Sequence, residues 1–355
     1  MKTQAQKLPI APGVPRTARG FSLIELMVAV VISLLMLLAV LQLFIDISRT
    51  NDEMAKTNVL IENGRFSLQL MQADVQHAGF WGELDNNIDP PTAIPDPCVV
   101  AGWDAPAYML NLIGIPVQAF PDATGLSGCG VTGVLANSDV LMVRHANTCV
   151  KGAAGCNGGS DTGWHIQVSG CRNVGTEEPY VIDKMTFPLR TKTCSLATPV
   201  PAVDLAPQRK VVSKLYYLAD SGGVPTLMRV ELVNGAYADP QPLIEGVESF
   251  RVELGLDTEG KNGLPISASN PGDGSADEFK RCTALTPCVL DDLANVVAVK
   301  LYVLVRNTVA TPGYTDKKAY QLGSTAVAAA NDGFKRHVFA TTVRLVNPSG
   351  RREIP

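Results

Sequence analysis

Hydrophobic positions fall into three regimes along this chain. Residues 1–20 (MKTQAQKLPIAPGVPRTARG) are polar, basic and interrupted by Pro9, Pro12 and Pro15, which predicts no stable element there. From Phe21 to Ile45 the sequence FSLIELMVAVVISLLMLLAVLQLFI is apolar at nearly every position. A helix of that length, rising about 1.5 Å per residue, crosses a hydrocarbon core of roughly 30 Å. Beyond Asp46 the pattern turns amphipathic. Met54, Thr57, Ile61, Gly64, Leu68, Met71, Val75 and Ala78 recur at alternating spacings of three and four, one stripe of an α-helix. No proline interrupts residues 21–78 and Gly79 supplies a stop signal. The pattern predicts one helix, about 87 Å long at 1.5 Å per residue.

After Gly79 the periodicity changes. Residues 80–210 are rich in Gly, Pro and Cys, with candidate strands only at Val140–Arg144, Ile166–Ser169 and Tyr180–Phe187. From about 210 the β pattern strengthens. Val211–Leu218 and Leu227–Val233 read as strands, Asn234-Gly235 as a turn, and Ser249–Leu256 as a further strand. Asn295–Arg306 alternates, with Val297, Val299, Leu301, Val303 and Val305 on one face and Lys300, Tyr302 and Arg306 on the other. His337–Val346 repeats the pattern with Phe339, Thr341, Val343 and Leu345. Such alternation marks an antiparallel sheet covered on one face, for which the long helix is the available cover.

Charge adds a direction. The formal net charge is -4, but Lys2, Lys7, Arg16 and Arg19 stand in a block without acids, and removing that +4 leaves residues 21–355 at -8. The basic flank places the N-terminus in the cytoplasm and the rest across the inner membrane. The acidic remainder argues against nucleic acid as a partner. An ordinary signal peptide does not fit, because the apolar run is too long and no A-x-A-like site follows. Glu25 is the anomaly: a carboxylate near the start of a span costs on the order of 2.5–3.5 kcal/mol and calls for a partner.

The eight cysteines (Cys98, Cys129, Cys149, Cys156, Cys171, Cys194, Cys282, Cys288) contain no C-x-x-C pair, and His77, His145, His165 and His337 are scattered. An even count behind an export-type N-terminus reads as disulfides in an oxidising compartment, with free buried thiols the other reading. Cys149–Cys156 and Cys282–Cys288 are the favoured local pairs, since both lie in Gly- or Pro-containing loop sequence.

The string Gly20-Phe21-Ser22-Leu23-Ile24-Glu25-Leu26 resembles the type IV prepilin signature. The resemblance implies cleavage after Gly20 by a prepilin peptidase, N-methylation of Phe21, and pairing of Glu25 with a neighbouring subunit's N-terminal amine in the filament. Gln42 stands where major pilins commonly carry a proline. Four segments are also similar to the PilW-type minor pilins: Phe66–Gly82, Leu243–Asp257, Val296–Arg306 and Lys335–Pro348. What this implies is an α+β, pilin-like fold. A long N-terminal helix, membrane-spanning in its first half, packs on an antiparallel β-sheet head with a large loop-rich insertion. The expected organisation is a leader over 1–20, the helix over 21–79 with its transmembrane segment at 21–45, and a periplasmic head over 80–355.

The implied role is a minor pilin that helps initiate and cap type IV pili. Its partners would be other minor pilins, the major pilin, the prepilin peptidase and a tip adhesin, and the protein would pass from the inner membrane to the pilus tip. That role carries twitching motility and adhesion with it. Alternatives are a pseudopilin of a type II secretion system, or a surface- or DNA-binding module mounted on a pilus.

No enzyme motif is present. There is no G-x-S-x-G, and GAAGCNGG (152–159) lacks the Lys-Ser/Thr of a phosphate loop. No cofactor is expected. Asp257 and Glu259 are the only candidate calcium ligands, in a DTEGKNG loop with Lys261 at a ligand-type position and no following bidentate glutamate. Asp273, Asp277 and Glu278 read as a solvent-facing cluster. Trp81, Trp103 and Trp164 could form an adhesive surface if exposed, although three tryptophans in such a head more often sit in its core.

Overall fold

A computed structural model describes residues 20–84, 88–156, 162–171, 177–267 and 269–353. The basic leader positions 1–19 and the end of the Gly-rich 152–159 stretch lie outside the described residues. The chain divides into two compact units, Met1–Ala55 and Lys56–Pro355. The first helix, α1 (Leu23–His77), runs through the boundary between them.

In the first unit, every described residue from Gly20 to Asp52 is exposed. Continuous apolar composition without proline favours helix at these positions, but none of the described residues buries them. In the second unit the remaining turns of α1 bury Leu60, Gly64, Ser67, Leu68, Met71 and Val75. The predicted stripe is therefore correct from Gly64 onward. Thr57 is exposed instead, and Leu60 is more deeply buried than Ile61. Met54, in the first unit, is exposed as well. Gly79 adopts φ +70, a left-handed conformation that glycine accepts readily, directly after the helix ends.

The head carries α2 (Pro106–Gly114), β1 (Val117–Phe120), β2 (Val140–Val150), β3 (His165–Val168), β4 (Tyr180–Asp183), β5 (Gln208–Ser221), β6 (Val224–Val233), β7 (Ala236–Tyr237) and β8 (Gln241–Glu245). There follow β9 (Val247–Leu256), β10 (Glu278–Lys280), α3 (Leu290–Ala294), β11 (Val296–Arg306), β12 (Tyr320–Leu322), β13 (Thr325–Val327), β14 (Arg336–Arg344) and α4 (Val346–Arg352). Among the described residues two larger antiparallel sheets and a two-stranded β12–β13 ribbon result where the sequence pattern suggested one sheet. In the larger, β5 is the spine: it pairs with β2, which pairs with β1, and also with β3 at its start and β6 further on. The smaller has the order β10-β9-β11-β14. Asn234 (φ 52) and Gly235 (φ 82) form the predicted turn, closing β6 onto β7.

Strand β11 shows why alternation alone misplaced a residue. Val299, Leu301, Val303 and Val305 join the main core as expected, but a register shift between Val296 and Ala298 re-phases the strand, so Val296 joins that core in place of Val297. On β14, Phe339 packs against Gly64 of α1 so closely that a Cβ at Gly64 would overlap its ring. The strand ends at Arg344, and α4 takes over at Val346.

Residues 134–139 join the two sheets. Val134 bridges to Ala219 of β5 and Ser138 to Phe250 of β9. Leu218 N–H donates to Ser138 Oγ at 2.8 Å, and Asp139 N–H donates to the Phe250 carbonyl at 2.9 Å. Asp139, with its side chain almost wholly buried, then receives Arg251 Nη1 at 2.9 Å, Val252 N–H at 3.0 Å and Arg281 Nε at 2.9 Å. Arg336 fastens the long connection before β14 in a similar way. It pairs with Glu248, Asp316 and Asp332, and its hydrogen bonds hold the Asp332 carboxyl down at about 2.

Candidate assembly site at the start of the long helix

Helix α1 begins at Leu23, which makes Ser22 its N-cap and Glu25 the third helical residue. The Glu25 carboxylate accepts from Ser22 N–H at 2.9 Å and from Ser22 Oγ at 3.0 Å. Ser22 Oγ in turn accepts from Glu25 N–H at 3.2 Å. This is a capping box: two backbone donors that the first helical turn leaves unpaired are satisfied reciprocally. The S-x-x-E spacing is visible in the sequence, but attention to hydropathy passes over it. Within one chain Glu25 thus already has a capping partner, a role separate from the expected pairing with a neighbouring subunit's amine. Gly20 and Phe21 precede the helix and are exposed, Phe21 at 87%. The peptide bond between them lies outside the helix.

In the head, the cysteines form four disulfides: Cys98–Cys129, Cys149–Cys156, Cys171–Cys194 and Cys282–Cys288. No cysteine is left as a free thiol. Three of the four close loops within the region of weak periodicity.

The candidate calcium ligands do not converge. Asp257 is fully buried and accepts from Gly274 N–H at 2.9 Å, Asp273 N–H at 3.3 Å and Arg352 Nη1 at 3.2 Å, whereas Glu259 is exposed. Asp257 already has a cation in Arg352, and its role is to hold α4 against the loop at 272–274. Asp277 and Glu278 face solvent, yet Asp277 also caps the turn by accepting from Thr258 and Glu259 N–H, each at 2.8 Å.

The tryptophans are not an exposed surface. Trp81, Trp103 and Trp164 are all buried in one cluster, with Trp103 stacked on Trp164 at 5.7 Å. Each indole N–H reaches a backbone carbonyl, of Ile113, Val99 and Val100 respectively. That removes the polar cost of burying them.

One polar contact was missed in the sequence. Asp74, between Met71 and Ala78 on the buried stripe, receives Lys214 Nζ at 2.9 Å and the Tyr216 hydroxyl, and His145 Nε2 lies 3.9 Å away. A lone acid on an apolar helical stripe is the signal that could have found it.

Comparison with known proteins bears on two stretches. Residues 15–41 match the Prokaryotic N-terminal methylation motif. Residues 215–347 match the family described as Type IV Pilus-assembly protein W. No curated protein sequence matches this chain. Among solved structures it is similar to the type IV-like pilin TTHA1219 from Thermus thermophilus, at 14% identity, over 81% of this chain and 96% of that chain, with a TM-score of 0.35. A score that low carries no part of the argument.

The methylation motif, opening a long helix that ends against an antiparallel β-sheet head, supports a prepilin-class protein. The motif and the apolar helix support anchoring in a membrane. The head carries the more particular likeness: its match from β5 into α4 to the pilus-assembly family supports a PilW-type type IV minor pilin, a structural pilus component.

Proposed function

We propose that the chain is cleaved between Gly20 and Phe21, methylated at Phe21, and held in the inner membrane by α1 with its head in the periplasm, before entering the pilus. There it joins other minor pilins and the major pilin, helps prime assembly, caps the tip and presents a tip adhesin. The observation that carries this is the cleavage-type junction directly before a capped helix, whose apolar residues from Leu23 to Ile45 find no cover among the described residues. Exposed apolar surface on this scale is stable only in lipid or against other subunits. A large, acidic, disulfide-closed head supports a tip position over a repeating shaft, in which every added subunit would have to accommodate it. The pilus-assembly match supports a pilus over a secretion pseudopilus.

The test is genetic and biochemical together. Deleting the gene should sharply reduce surface pili and twitching, and Gly20→Leu should leave uncleaved precursor in the membrane and fail to complement. Normal piliation in the deletion strain would remove the priming role. Normal processing of the Gly20 variant would remove the assigned junction.

A further inference from the structure

Strand β14 is the outer strand of its sheet: it pairs with β11 along one side, and no described strand pairs with the other. The bonds at the two ends of the ladder set its phase. Asn307 N–H donates to the Lys335 carbonyl at 3.0 Å, and Leu345 N–H donates to the Val297 carbonyl at 2.8 Å. Pairing runs from one to the other without a register shift, so the odd-numbered residues of β14 turn their N–H and C=O toward β11. The even-numbered ones turn theirs outward. The backbone groups of Val338, Ala340 and Thr342 bond to no other described residue. Ala340 and Thr342 are exposed, and Val338 is half-buried.

An open edge is a template for another chain, and proteins usually blunt it with a short strand, charge, proline or a bulge. The opposite edge of this sheet is blunted in that way: β10 has three residues, two of them Glu278 and Lys280. Strand β14 has nine. Its stretch His337–Val343 (HVFATTV) holds no lysine, proline or carboxylate, and no bulge interrupts it. The side chains beside the edge suit a paired strand. Phe339 is half-buried on the α1 side, its ring edge-on to His337 at 4.8 Å, and Val338 and Thr342 are β-branched on the other side. At the far end Arg344 pairs with Glu353, and both are about half exposed, a contact of little worth that an incoming carboxylate can replace.

We infer that the open edge of β14 receives an extended segment of a partner polypeptide as a further strand of this sheet, with a β-branched or apolar middle and carboxylates at its ends. A row of unpaired N–H and C=O groups calls for another backbone, and the neighbouring side chains call for that alternation. A second copy of this chain fits less well. Two β14 strands paired antiparallel about Ala340 would set Arg336 against Arg344 at both ends, and each copy would bring an acidic body. This edge does not depend on the filament role.

The full chain, purified in detergent, can be followed by amide hydrogen exchange at single-residue resolution while peptides are added. The probe is N-acetyl-Glu-Val-Thr-Val-Thr-Val-Glu-amide, with a second peptide that has lysine in place of both glutamates. An added strand covers only the outward amides. Exchange at Val338, Ala340 and Thr342 should therefore slow about tenfold once the acidic peptide reaches about ten times its Kd. Phe339, Thr341 and Val343, already bonded to β11, should not change. The lysine peptide should protect the same amides less at equal concentration. Ala340→Pro removes an N–H that the fold does not use, so it should keep the melting temperature and lose the protection at Val338 and Thr342. The alternating pattern in the wild-type chain stands even where that variant folds poorly. No protection at millimolar acidic peptide, or protection spread equally over odd and even residues, overturns the site. Equal protection by both peptides overturns the acidic partner. Protection that appears without peptide and rises with protein concentration identifies a second copy as the occupant and overturns the partner assignment.

Discussion

Glu25 serves its own helix in the isolated chain, while the proposed filament role asks it to serve a neighbour. Glutamine separates the two. It can occupy the capping box as glutamate does, but it brings no charge to an incoming amine. Glu25→Ala and Glu25→Gln should therefore both leave cleavage after Gly20 largely intact and both impair incorporation into pili, as measured by the amount of this subunit in sheared filaments. If Gln restores incorporation and Ala does not, capping is the whole function of the residue. At Asp139 the cost comes from the cations it serves. Asp139→Ala leaves Arg251 and Arg281 without their buried counter-charge, so it should destabilise the head by about 3–5 kcal/mol, read as a lowered denaturation midpoint in detergent. A loss below about 1 kcal/mol would mean that water reaches both guanidiniums easily.

At the level of elements, the contact between α1 and β14 is the tightest test of the packing. Gly64 would ordinarily be a weak helical residue, and replacing it with alanine should help α1 by about 1 kcal/mol. Here the new methyl meets the Phe339 ring, and overpacking costs typically 1–3 kcal/mol. Gly64→Ala should therefore lower the melting temperature, and adding Phe339→Leu should recover part of the loss, giving a non-additive double-mutant cycle. Additive effects would show that the two residues do not share the contact. The sequence identified both residues as facing the core, because periods of 3.6 and 2 are local properties. It could not show that they face each other. Nor could it place the irregularity at Val297, since a bulge is defined by the partner strand and not by the strand that carries it.

At the scale of the whole molecule, the buried apolar side chains of the head form three clusters: one shared by the end of α1 and the two larger sheets, one around the tryptophans, and one that includes Cys98 and Cys129. Closing a longer loop removes more disorder from the unfolded chain. Cys98–Cys129, with a separation of 31, should thus contribute more than Cys282–Cys288, with a separation of 6. Replacing the first pair with serine should cost about 2–4 kcal/mol and the second pair less, measured by denaturant unfolding under oxidising conditions. The opposite ranking would point to contacts of the short loop that outweigh its entropy.

By itself the sequence determined the cleavage-type junction, the apolar span, the helical stripe beyond it and most strands of the C-terminal half. These follow from composition and period over neighbouring residues. Tertiary structure alone decided that Asp257 pairs with Arg352, that the tryptophans are core, and that residues 134–139 join the two larger sheets. Each of these depends on groups far apart in the chain, as Asp139 with Arg281 or Asp257 with Arg352, whereas the capping of Glu25 by Ser22 is local. Local patterns record which face of an element avoids water. Which elements then meet across that face is decided by packing and charge in three dimensions.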